Sequence, residues 1–134
     1  HITQEHFPEG KLKAYITHLA DTIERNPSMP YIIMREMASM GRQLNEVIAG
    51  DLKNILAIVR EILDDGITKG VFVRTDPLLL HLMVVGVMVF FRVSMPMRKK
   101  FSSILPDDLR GIEKRSFENM VTELEKMVLR AVKA

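Results

Sequence analysis

Apolar side chains recur every three or four positions along most of this chain, a pattern that predicts helices separated by proline and glycine. From Pro8 to Arg25 the positions Leu12, Tyr15, Ile16, Leu19 and Ile23 keep a helical period. Pro8 suits a first turn, where a missing N–H costs little, and Asn26-Pro27 ends the segment. A shorter helix is predicted over Ser28 to Met40, capped by Ser28, carrying Tyr31, Met34, Met37 and Ala38, and stopped by Gly41. The strongest periodicity runs from Gln43 to Asp65 through Leu44, Val47, Ile48, Leu52, Ile55, Leu56, Val59, Ile62 and Leu63, with Gly66 where a left-handed terminator is expected. After the connection GITKGVFVRTDP, Asp76 reads as an N-cap and Pro77 as the first residue of a helix that Pro96 is expected to close. The last segment spans Asp107 to Ala131; its stripe of Leu109, Ile112, Phe117, Met120, Val121, Leu124, Met127, Val128 and Ala131 lies opposite mixed charge.

The helix opened by Asp76 departs from the amphipathic rule, because from Leu82 to Phe91 it has no polar side chain. Something must cover all its faces: lipid, the chain's own core, or a second chain. Lipid fits poorly, since a span needs about 20 largely uncharged residues and this run is bracketed by His81 and Arg92. A chain of 134 residues rarely encloses a central helix completely by itself, so homodimerisation is the expected way to cover what remains. The predicted architecture is therefore an all-α bundle of about five helices in one domain, residues 1–134, with no repeats or linkers.

Composition narrows the chemistry. Hydrophobic residues at 47% and charged residues at 27% are ordinary globular values, and a net charge of +2 gives no nucleic-acid footprint by itself. The absence of cysteine excludes a disulfide framework, a thiolate nucleophile and a Cys-ligated metal, which fits a cytoplasmic setting. No phosphate loop, G-x-S-x-G, H-E-x-x-H or di-iron Glu-x-x-His pattern occurs, so neither an enzyme nor a bound cofactor is expected. His18, Asp21 and Glu24 share one helical face but read as solvated polar surface. Arg98, Lys99 and Lys100, without interleaved aromatics, read as a solvated loop.

The order of segments resembles the C-terminal domain of TetR-family transcriptional regulators. The resemblance rests on a helix ending Asn26-Pro27, a short helix containing Arg35-Glu36, and a long helix closing as EILDDGITKGVFVRTDP before a very apolar helix. That closing segment is similar to the family's G-x-x-x-G-x-F-x-x-x-D-P signature, met here by Gly66, Gly70, Phe72, Asp76 and Pro77. Two glycines allow a sharp reversal, Phe72 can plug the core, and Asp-Pro starts the next helix. The resemblance implies a four-helix dimer interface made by the last two helices of each subunit. It also implies a pocket among the preceding helices whose ligand alters the spacing of two DNA-binding heads. The family's N-terminal helix-turn-helix is absent from these 134 residues, so DNA would be reached only through a domain outside them.

Within that frame the effector is expected to be apolar or amphipathic, lined by Tyr15, His18, Met34, Met37, Ile55, Val59, His81, Met83 and Val87. Methionines suit an adaptable pocket, though most are expected simply to fill core. The expected dimer contacts are Met88, Arg92, Phe117, Val121, Leu124 and Val128. His81 reads either as a ligand anchor or as a satisfied core histidine. Arg92 reads as an anchor for an acidic ligand, as a snorkelling side chain, or as a partner of a dimer-interface carboxylate such as Glu118 or Glu123, and Arg35-Glu36 as a structural ion pair at the helix junction. The competing reading of the whole chain is a non-catalytic homodimeric adaptor with no small-molecule site.

Overall fold

A computed structural model describes residues 7–43, 46–104, 106 and 116–134. Its helices are α1 (Pro8–Arg25), α2 (Met29–Ala38), α3 (Glu46–Thr68), α4 (Pro77–Lys100) and α5 (Phe117–Val132), with one 3-10 turn at Ser102–Ile104. This is the all-α fold that the periodicity predicts. α1 packs against α3, α4 and α5, and α4 also meets α2, α3 and α5. The core forms where these helices converge: Leu12, Tyr15, Ile16, Val59, Val84 and Met88 are wholly buried.

Several boundaries differ from the sequence expectation, each for a local reason. α3 does not stop at Gly66 but runs on to Thr68, and the left-handed turn falls at Gly70, with φ of 74°. Gly66 serves closeness instead: the Phe72 ring, itself buried, occupies the space a Cβ there would need. Nor does Pro96 close α4, which continues to Lys100. The proline cannot donate to the carbonyl of Arg92; one residue earlier, the Arg98 guanidinium donates to the Phe91 carbonyl at 2.7 Å and Arg98 Nε to Ser94 Oγ at 3.0 Å. The basic run Arg98-Lys99-Lys100 is thus the last turn of a helix rather than a loop, where cations complement the helix dipole. Ser28 makes no side-chain cap to α2, whose end is marked by positive φ at Met40 and Gly41.

Asp76 caps α4 as expected, its Oδ1 accepting from the N–H of Leu78 at 2.8 Å and of Leu79 at 3.3 Å. α5 begins at Phe117 behind Ser116, whose hydroxyl accepts from the Asn119 N–H at 3.1 Å; the expected earlier start, with Leu109 and Ile112, lies outside the described residues. The segment after Gly70 is pinned by an antiparallel bridge between Phe72 and Lys133, through bonds from Val73 N–H to the Val132 carbonyl at 2.8 Å and from Ala134 N–H to the Val71 carbonyl at 3.0 Å. Those bonds hold Phe72 against Gly66.

Candidate functional site

Two histidine-bearing helix faces were candidates for ligand chemistry, and the structure separates them. His81 is buried on the inner face of α4, and its Nδ1 lies 2.6 Å from the Tyr15 hydroxyl on α1. Burial drives the Tyr15 pKa well above its ordinary 10 and the His81 pKa below its ordinary 6.5, so the bond joins a neutral hydroxyl and a neutral imidazole. The pair is a closed polar contact inside the core, the bland alternative for His81. His18 is half-buried on α1, and among the described residues no cluster of His, Asp or Glu could hold a metal.

The nine expected ligand contacts do not converge on one cavity. Tyr15, Val59 and His81 are core, Ile55 and Met34 pack against it part-buried, and Met37, Met83 and Val87 face outward. Four surface clefts among the described residues contain none of the nine. The roomiest of them, about 520 Å³, lies between α3 and the first turn of α4. Its wall on α3 carries Leu52, Leu56, Lys53 and Arg60, and its lip on α4 carries Asp76, Pro77 and Leu78.

The expected dimer contacts are also spent internally. Met88, Phe117, Val121, Leu124 and Val128 are all buried within the single chain. Met88 lies on the inner face of α4, and the other four belong to the buried stripe of α5. Within the single chain the Arg92 guanidinium lies 4.3 Å above the Phe117 ring and 3.9 Å from Glu24. Glu36 does not pair with Arg35 but accepts the Gln43 backbone N–H at 3.2 Å.

What stays open is the opposite stripe of α4: Leu79, Leu82, Met83, Gly86 and Phe90, with Met97 one further turn pair along. Phe90 is 59% exposed and Leu79 57%. The stripe runs about 27 Å at 1.5 Å per residue, and Gly86 at its middle has no neighbouring atoms within 4 Å of a built Cβ. α5 adds little to it, because Met127 is its one strongly exposed large apolar side chain. α4 is also long and apolar enough to cross a membrane by length and composition, with a mean hydropathy of 2.1; as a core helix of a bundle it would pass the same test.

Among the described residues the fold is an all-α bundle whose most apolar helix leaves one face uncovered. Residues 8–131 match the family model of the tetracyclin repressor-like C-terminal domain, and the chain belongs to that family. No curated protein and no solved structure matches it. The order of elements, the glycine-Phe72 closure and the capped α4 are the parts of the fold on which the sequence resemblance rested.

Proposed function

We propose that this chain is the effector-sensing and dimerising domain of a TetR-like transcriptional regulator. A small apolar or amphipathic molecule would bind each subunit and favour one dimer geometry over another, changing the DNA affinity of the full-length protein. DNA would be contacted only through an N-terminal domain outside these residues. The domain is non-catalytic, needs no cofactor, works in the cytoplasm and does not enter a membrane.

The observation that supports the dimer is the uncovered stripe on α4, since a monomer seldom leaves so long an apolar row in water. Pairing two such helices is the isologous solution. The interface proposed here is the Leu79, Leu82 and Phe90 side of α4, the side exposed in the single chain. Sedimentation velocity tests it: at micromolar concentration the chain should run at twice 15.4 kDa, and a monomer would remove the reason for the stripe.

A helical adaptor with no small-molecule site is the second reading, favoured by one fact: the Tyr15–His81 contact fills the place where an internal pocket was expected. A thermal-shift screen separates the two, because any specific binder raises the melting temperature by mass action.

A further inference from the structure

We propose that the cleft between α3 and the start of α4 takes an amphipathic carboxylate, its apolar body on Leu52, Leu56 and Leu78 and its head held by Lys53 and Arg60. This rests on the effector-sensing reading above and deepens it by naming the site and the ligand class. The cleft volume of about 520 Å³ falls within the range of about 300–1,000 Å³ usual for small-molecule sites. Its floor is aliphatic: Ala49, Leu52 and Leu56 follow the three-and-four spacing along α3, and Pro77 and Leu78 close the far side. Leu52 and Leu78 are 44% and 47% exposed, so apolar area stands ready for burial.

The charges give the ligand its sign. Lys53 and Arg60 lie seven residues apart on the same face of α3, about 10 Å along the axis, and both border the cleft. Among the described residues neither makes an ion pair or hydrogen bond. The one acid on the lip, Asp76, has its Oδ1 committed to the α4 N-cap. A ligand therefore meets an aliphatic trough lined by two cations and the single carboxylate of Asp76, a positive balance. Neutral and cationic amphiphiles would gain the trough alone; a carboxylate gains both.

The test uses decanoate, decanol and decyltrimethylammonium as probes, each below the concentration at which it forms micelles, with binding read by thermal shift and calorimetry. Decanoate should bind about tenfold more tightly than decanol, the sum of two solvent-screened pairs worth about threefold each, and the difference should shrink as salt rises. The doubly substituted Lys53→Gln, Arg60→Gln chain should bind decanoate only as well as decanol. Leu56→Trp should block all three by filling the trough, and circular dichroism should show both variants folded, since these side chains contribute no contact to the core. If decanol or the ammonium binds as tightly as decanoate, or the double variant keeps its preference, the carboxylate assignment fails and the effector reading survives. If other compounds stabilise the parent and Leu56→Trp alike, the cleft is wrong while sensing stands. If nothing in a broad screen stabilises the parent, both fall.

Discussion

Phe90→Asp is the sharpest way to separate the two faces of α4. In the single chain this ring is 59% exposed, so a substitution there costs the folded monomer only the smaller, packed part of the ring. An aromatic side chain buries 150–250 Å² in full, which leaves about 100 Å² per chain, or about 200 Å² per symmetric pair, available to a partner. At about 25 cal/mol per Å² that is about 5 kcal/mol of gross stabilisation. Two aspartates facing each other across a two-fold axis add repulsion and desolvation. Allowing for incomplete burial, about 4 kcal/mol corresponds to a dissociation constant raised about a thousandfold, enough to turn a micromolar dimer into a monomer.

The assay is sedimentation velocity paired with urea unfolding. Phe90→Asp should run at half the parent's mass with an unchanged unfolding slope, whereas Val128→Asp, placed at a side chain only 1% exposed, should fail to fold at all. A Phe90→Asp chain that still sediments as a dimer would refute the face assignment, and so would a folded monomeric Val128→Asp.

Three further outcomes follow from particular contacts. His81 has a folded pKa below its ordinary 6.5 because burial opposes its charge, so the unfolded chain takes up the proton more readily; stability is therefore intact above pH 6.5 and falls as pH drops below it, and urea midpoints measured with pH should show a shallower acid limb for His81→Leu. Tyr15→Phe deprives the buried imidazole of its partner and should cost about 1–3 kcal/mol by urea titration at neutral pH. Gly66→Ala drives a methyl into the Phe72 ring and should destabilise by about 1–3 kcal/mol, largely recovered with Phe72→Leu, while Gly86→Ala, in open space within α4, should stabilise the monomer by about 0.5–1 kcal/mol.

How far the sequence determines this fold can be judged residue by residue. Leu12, Tyr15, Ile16 and Ile23 are buried on α1 as their spacing requires, because a single apolar stripe has one way to turn. Asp76-Pro77 opens α4 because both residues act locally, through a cap and a fixed φ. Gly66 was misread since a glycine near a helix end has two possible uses, and only the distant Phe72 decides between them. Pro96 was misread for a related reason: Arg98, two residues further on, supplies donors that the pattern of apolar positions cannot register. The site was least legible, because α4 is apolar on every face and its inward side is chosen by packing. The polar residues were the usable signal. His81 and Tyr15 needed each other inside, which turns Leu79, Leu82 and Phe90 outward.

In the proposed dimer, that geometry would supply a route from the proposed cleft site to the interface. Leu78 forms the lip of the α3–α4 cleft and Leu79 begins the exposed stripe, so adjacent residues of one helical turn face the two sites. The turn is held by its Asp76 cap and by the buried Leu80, which fixes its depth in the core. A ligand wedged against Leu78 cannot move that turn without moving Leu79 with it, because an intact helical turn shifts as a unit. At the far end Arg98 braces α4 past Pro96, so a displacement of the first turn becomes a tilt of a 24-residue rod rather than a local fray. Opposite Gly86, where two α4 helices can approach most closely, such a tilt changes the crossing angle of the pair. Coupling of this kind depends on the cap: Asp76→Ala should loosen the first turn at a cost of about 1 kcal/mol and, with the dimer retained, should leave a ligand bound in the cleft unable to alter dimer affinity. Equal ligand-linked shifts in the dissociation constant of parent and Asp76→Ala would show that the signal travels by another path.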